Sequence, residues 1–258
     1  MTNNIADVIQ ERLKQSRDLS GISAVDADLS KQELARVNLS QSNLFGTNLS
    51  ESNLEDCTLI SAILSASTLK GTNLTRSNLT LAQLIKANLE GADLSDTNLI
   101  AITATKAQFV EAVLDRATLS GAKMEYADFT KASLINTVLS DVNLEYAVLK
   151  SANFAAANLM RSNLVEADLS EAKLIGTIMT QAQLTRAKIL DAELIGTKLQ
   201  GANLADADLT GSILTGADLT DADFSRANLK GVNLAGAIME NTKLDDAILH
   251  NVIGYIPR

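Results

Sequence analysis

Over most of its length the chain repeats a unit of five: a small residue, a polar one, a large apolar one, then two that are polar or glycine. The large apolar position runs Leu29, Leu34, Leu39, Leu44, Leu49 and on without a gap to Leu249. The exceptions to leucine on that run are Ala104, Phe109, Met124, Phe129, Phe154, Met179, Ile189, Phe224 and Met239, all apolar. Two residues earlier stands a column of mostly Ala, Ser or Thr, such as Ala87, Thr97, Ala112 and Ser162, and the residue between is often Asn or Asp, as in Asn88, Asp93 and Asn98. A helix cannot use this period, because five residues overshoot a full turn by roughly 140° and the Leu column would wind around every side. Extended backbone accounts for part of it: positions two apart face the same way, so the small residue and the Leu point inward together while Asn/Asp points out. The alternation resets at every fifth residue, which predicts a turn after each short extended piece and a chain coiled around its own Leu column. No insertion or deletion interrupts the register, so the pattern predicts one rod and no second domain.

Segments such as Ala87-Asn88-Leu89-Glu90-Gly91, Ala92-Asp93-Leu94-Ser95-Asp96 and Ala202-Asn203-Leu204-Ala205-Asp206 resemble the A(D/N)LXX signature of the pentapeptide repeat family, and the likeness extends over nearly the whole chain. The resemblance implies an all-β solenoid: a right-handed quadrilateral β-helix with four pentapeptides, or twenty residues, per coil. On that basis the chain makes about eleven to twelve coils, a rod on the order of 50 Å long at ~4.8 Å per coil. Two sequence features agree with twenty. Arg36, Asp56, Arg76, Asp96 and Arg116 alternate in sign at that spacing, and Phe109 and Phe129 would stack in the core.

An open β-coil exposes unpaired strand edges at both ends, and these need covers. In residues 1–16 the stretch NNIADVIQERLKQS has Ile5, Val8, Ile9 and Leu13 at helical spacing, Asn3 or Asn4 as a cap, Asp7 early, and Arg12 and Lys14 late, which predicts a short helical N-terminal cap. Residues 17–250 form the solenoid. The tail at 251–258, with VIGYIPR leaving the register at Gly254, folds over the last coil or meets a second subunit, so a homodimer through the C-terminal end is one expectation. Inside the rod, Ala24 and Ala104 take large positions, while Ile22 and Ile102 stand in the small column beside them. The swap conserves core volume and predicts that the coil begins near Leu19.

Composition narrows the chemistry. Aromatic residues are 3% of the chain and there is no Trp, so the 46% hydrophobic content is mostly Leu, Ile and Ala. A net charge of −9 offers no basic surplus to displace counterions from phosphates, which argues against direct nucleic-acid binding. The start MTNNIADV has no signal-peptide pattern, no apolar run is long enough to span a membrane, and Cys57 is alone; the cytoplasm is the expected location, with no membrane role. Cys57 falls in the inward small column and reads as a buried hydrophobe. His250 is the only histidine, so no His-based metal site or catalytic dyad can be assembled around it. Asp218, Asp221 and Asp223 occupy outward repeat positions and read as a solvated face. No enzyme and no cofactor is expected.

What remains is surface. Glu125-Tyr126-Ala127 returns as Glu145-Tyr146-Ala147, which puts the two tyrosines above one another, either as a by-product of the ladder or as a binding site. On the twenty-residue grid one outward column passes from Ala35, Glu55, Thr75, Ser95 and Asp115 to Ile135, Ala155, Ile175, Ile195 and Thr215. The next column passes from Arg36 to Arg116 into Gly176, Gly196, Gly216 and Gly236, with Ile213 on the same face and Leu190 on the neighbouring one. Ile135, Ile175, Ile195 and Ile213, with Tyr126 and Tyr146, are therefore the candidate partner-binding residues; aliphatic ladders that only stiffen the surface are the plainer alternative. The expected function is a protein-interaction or scaffold rod with an unidentified protein partner. The resemblance implies an alternative, a mimic of B-form DNA that binds or protects DNA gyrase or topoisomerase IV. For that role Phe109, Phe129, Phe154 and Phe224 are few, and Asp206, Asp208, Asp218, Asp221 and Asp223 are the best acidic cluster.

Overall fold

The computed structural model describes residues 5–254. One repeat, residues 93–97, shows how the chain closes its backbone accounts. Leu94 donates its N–H to the Val113 carbonyl one coil ahead (2.7 Å), and Asp93 donates to Thr72 one coil back (3.0 Å). Asp96 donates ahead to Asp115 (3.0 Å), while Thr97 donates back to Leu94 (3.2 Å) and closes a β-turn. The one N–H left over belongs to Ser95, and the Asp93 side chain takes it at 2.9 Å. A buried or half-buried N–H without a partner is costly, and this is the reason for Asn/Asp between the two inward columns. Each such residue closes an Asx turn onto the N–H two residues later, as Asp18, Asn48, Asn98, Asp168 and Asn233 all do. The outward polar column is thus part of the backbone hydrogen bonding as well as of the surface.

The third residue of each turn is left-handed. Its non-glycine members have φ from 53° to 61°. That region penalises a branched Cβ most, and Val, Ile and Thr, common elsewhere in the repeat, are missing from it among the described residues. Every glycine of the rod sits there as well, apart from Gly254, which follows the last turn with φ 77°.

Parallel bridges join residues twenty apart without interruption, from Asp18↔Asn38 to Asn233↔Ile253. Twenty residues per coil and one turn per five give four faces. Face I carries the core residues Leu19, Leu39 and on to Met239; face II Ala24 to Leu244; face III Leu29 to Leu249; face IV Leu34 to Leu234. The left-handed residues form the corners: Leu81 lies on the I/II corner, Tyr126 on II/III, Glu51 on III/IV and Arg76 on IV/I.

The core is a continuous column of buried Leu, Phe and Ala. Phe109 and Phe129 stack with centroids 4.6 Å apart and 2° between planes. Ile22, Ala24, Ile102 and Ala104 are all buried, as the volume swap requires, and Leu19 is already part of the column. Buried hydroxyls stitch coils together, as where Thr97 Oγ1 donates to the Leu74 carbonyl at 3.0 Å. Cys57 is buried and its thiol donates to the Leu34 carbonyl; burial pushes its pKa up to about 11.

At the N-terminal end, α1 (Ile5–Leu13) has Asp7 in its first turn and Arg12 in its last. Ile9 is fully buried, and Ile5, Ala6 and Leu13 pack against the first coil. Ala6 joins the predicted stripe because it falls three residues before Ile9, on the same side of the helix. The capping residues Asn3 and Asn4 lie outside the described residues, as do 255–258. Gly254 lies where the next core residue of face IV would fall. A Cβ there would stand 2.6 Å from Ala235 Cα, so the chain crosses the backbone of the preceding coil more closely than any other residue could. Met239, Leu244 and Leu249, the last core residues, are only partly buried.

Candidate functional site

The charged side chains of the corners pair between coils. Arg116 meets Asp96, Arg161 meets Asp141, Arg186 meets Glu166 and Arg226 meets Asp206, each at 2.7 Å. The guanidinium bonds hold Asp56, Asp96, Asp141 and Asp206 below the usual carboxylate range. In the Arg36–Arg116 column the alternation resolves into separate groups: Asp56 lies between Arg36 (3.8 Å) and Arg76 (2.9 Å), Arg76 also takes Glu55, and Asp96 turns to Arg116. Exposed pairs of this kind contribute little to stability, being screened by solvent; their main effect is to occupy the charges.

The acidic cluster is not one patch. Asp206 lies on the II/III corner, Asp208 on face III, Asp218 on face I, Asp221 on the I/II corner and Asp223 on face II. All five have occupations of their own: Asp208, Asp218 and Asp223 close Asx turns, Asp206 binds Arg226 and Asp221 accepts from Asn241. The Thr220 hydroxyl lowers the pKa of Asp218, and the Ser225 hydroxyl that of Asp223. Among the described residues no three His, Cys, Asp or Glu side chains stand close enough to hold a metal, and no helix is long and apolar enough to cross a membrane.

Tyr126 and Tyr146 do stack, with centroids 4.8 Å apart and 10° between planes. They are 52% and 37% exposed. Both hold left-handed backbone, φ 60° and 59°, a conformation uncommon for an aromatic residue. Lys106 Nζ sits over the Tyr126 ring at 5.6 Å to its centroid. The Glu166 carboxylate, ahead of burial and Glu145, raises the Tyr146 pKa, so that hydroxyl stays protonated and remains a donor. Glu125 accepts from Thr105 and Asn143.

The aliphatic strip runs along the end of face IV. Ile175, Ile195 and Ile213 are about two-fifths exposed, while Ile135 is half-buried. Beside them Gly176, Gly196 and Gly216 leave the IV/I corner bare, with no atom within 4 Å of where a Cβ would stand. Other corners hold Arg, Lys or Asp at the same φ, so backbone geometry alone does not demand glycine here. The II/III corner that carries the tyrosines is diagonally across the rod from this strip, two corners away. The two candidates therefore form separate surfaces.

A third apolar surface was not among the sequence candidates. Val25, Phe45, Leu81, Ile85 and Ile100 are the exposed large hydrophobics up to residue 100, and all five border face II. Its signal becomes visible only when the residues on both edges of a face are read together on the twenty-residue grid.

The family profile for Pentapeptide repeats (8 copies) matches at 25–59, at 62–99 and then in overlapping stretches through 222–253. Among solved structures, the chain is similar to HetL, a pentapeptide repeat protein involved in heterocyst differentiation regulation from the cyanobacterium Nostoc sp. strain PCC 7120. The identity is 28%, over 97% of each chain, with a TM-score of 0.36. It is also similar to a pentapeptide repeat protein from the Arabidopsis thaliana thylakoid lumen, at 29% identity over 39% of this chain and 71% of that one, TM-score 0.38. Full-length QnrB1, a plasmid-mediated fluoroquinolone resistance protein, matches at 20% identity over 72% of this chain and 90% of its own, TM-score 0.31. No curated protein matches.

Proposed function

The chain belongs to the pentapeptide repeat family, and on that premise we propose that it is a non-enzymatic interaction rod: a right-handed coil of about eleven to twelve turns, closed at its N-terminal end by α1 and presenting its faces to an unidentified protein partner. The observation that carries this reading is how the surface is divided. Most charged residues of the corners are committed to neighbours twenty residues away, and Asn and Asp are committed to closing turns. Among what stays uncommitted are three apolar tracts: the strip of Ile135, Ile175, Ile195 and Ile213 beside bare glycines, the Tyr126/Tyr146 stack, and the N-terminal half of face II. A regular solenoid that leaves contiguous apolar tracts in water has the form of a binding surface.

The C-terminal coil, with Ile238, Ile248 and Ile253 about half exposed, is the place for a second copy if the rod dimerises. The cytoplasm remains our proposed location, with no direct contact to nucleic acid or membrane. The duplex-mimic alternative draws no support from the charge distribution, since a mimic needs a dense field of one sign, and we expect no inhibition of gyrase in a supercoiling assay. The test of the interaction reading is a pull-down from the native host with the parent protein and with Ile175→Glu/Ile195→Glu, after circular dichroism confirms the fold. A partner retained by the parent and lost by the variant supports it. Parent protein that retains nothing across repeated pull-downs counts against it.

A further inference from the structure

Face II of the first five coils, with its two bordering corners, differs from the rest of the rod in two independent ways. The first is apolarity. Phe45, Leu81 and Ile85 are 45%, 55% and 36% exposed, Val25 and Ile100 extend the tract at either end, and half-buried Ile60 and Ile63 lie between them. Leu81 is the telling residue. It stands at a left-handed corner with φ 61°, where the other coils carry Gly, Ser, Ala, Gln, Asn or a charged residue and no large apolar one. An exposed leucine there brings both an apolar side chain into water and a disfavoured backbone, with no packing gain inside the rod.

The second is charge. From Ser20 to Lys106 this face and its corners carry only Asp26, Lys86 and Lys106, on a chain whose net charge is −9. Lys86 and Lys106 follow one another on the II/III corner, twenty residues apart. Other corner cations of these coils, such as Lys31 with Glu51 and Arg76 with Asp56, have an acid at that distance. Among the described residues Lys86, Lys106 and, one coil on where the face also carries Glu125, Lys123 have no acidic side chain within ion-pair distance; Glu125 is held by Thr105 and Asn143. Successive like charges on a ladder repel, and Lys106 is instead held over Tyr126.

We propose that this face docks an acidic amphipathic helix of a protein partner, its apolar stripe on Phe45, Ile63, Leu81 and Ile85 and its carboxylates toward Lys86, Lys106 and Lys123. The spacing suits a helix laid along the rod: one helical turn rises 5.4 Å against about 4.8 Å per coil, so successive turns meet successive coils. A sheet face with one apolar side is ordinarily covered by a helix. The tyrosine stack then lies at the end of the docked helix, next to Lys106. An anionic membrane would also meet lysines beside an apolar tract, but the remaining surface is net acidic and would be repelled by it.

The inference rests on the interaction reading, so its test separates the two. The probe is a fluorescein-labelled synthetic helical peptide with Leu on one face and flanking Glu, compared with a twin in which every Glu is Lys. By anisotropy the Glu peptide should bind the full-length protein. Lys86→Ser/Lys106→Ser should weaken it by about tenfold, as loss of two rim charge pairs would, and Leu81→Glu should do at least as much. Equal binding of the two peptides, or binding unchanged in Leu81→Glu, overturns the proposal. Flotation with phosphatidylserine vesicles without peptide binding also overturns it, in favour of a membrane. If a host partner is retained equally by the parent and by Leu81→Glu, the interaction rod stands and this face does not.

Discussion

Ile102 and Ala104 exchange sizes within one coil, and that exchange can be measured. Both side chains are completely buried, so neither can relieve a change by moving into solvent. The turn bond from Ile102 N–H to the Leu99 carbonyl is 3.4 Å, against 3.0 Å for Ala107 and Ala112 and 3.1 Å for Ile22 at equivalent turns. Ile102→Ala alone removes three carbons and should cost about 2–5 kcal/mol, in the range of buried Ile-to-Ala truncations. Ala104→Leu alone adds three carbons to a filled layer and should cost about 1–3 kcal/mol through overpacking. The double variant has the composition of an ordinary coil, so its cost should fall below about 1.5 kcal/mol, as for volume-conserving swaps. If the sites were independent the double would cost about 3–8 kcal/mol, so the cycle should show a favourable coupling of about 1.5 kcal/mol or more. Guanidinium unfolding followed by circular dichroism, with slopes compared to establish that the same unit unfolds in all four proteins, gives the cycle. A double variant whose loss equals the sum of the singles would refute the shared-volume explanation.

At Ala66, φ is 58°. Ala66→Gly removes a left-handed penalty of about 1–2 kcal/mol and gives back about 0.5–1 to the unfolded chain, so the thermal midpoint should rise; a fall would show that the turn imposes no strain. Asp218 and Asp223 have pKa values lowered by the Thr220 and Ser225 hydroxyls they accept from. A depressed folded pKa gives stability that is present above the unfolded value of about 3.9 and lost as pH falls through the folded one. Asp218→Asn/Asp223→Asn keeps the acceptor for each turn but cannot titrate, so the unfolding midpoint should fall less steeply with acid below pH about 4; an unchanged acid limb would contradict this. With its pKa pushed to about 11, Cys57 should not react with dithionitrobenzoate at pH 8 until denaturant is added. Prompt reaction in the native protein would mean that the second coil opens.

The five-residue period was legible because the interior accepts only two side chains per repeat, and the Leu29-to-Leu249 run records that constraint without interruption. The twenty-residue coil was weakly legible: Phe109 and Phe129 do stack, but the Arg36–Arg116 column divides into local pairs, since each arginine takes whichever carboxylate its fork can reach. The purpose of Asn88 or Asp93 was hidden, because an outward polar residue looks solvated until the N–H two residues later is found to lack a backbone partner. Leu81 and Tyr126 were hard to place for a related reason. Side-chain direction at a left-handed corner follows neither the strand alternation nor a helix, so their shared border on face II appears only in three dimensions.

The unbroken register also determines how this chain can change length. Adding or removing twenty residues inserts or excises one whole coil and returns every later residue to its own face. Adding five keeps the core column intact but rotates everything beyond it by a quarter turn, which would carry the bare glycine edge to a different side relative to Lys86 and Lys106. The angle between two binding surfaces is therefore stored as a remainder on division by twenty, and their separation along the axis as the quotient. Duplication or loss of short segments can adjust either quantity while changing interior contacts only in the coils that flank the event, so a lineage of such rods could re-aim its surfaces far faster than it could redesign its core.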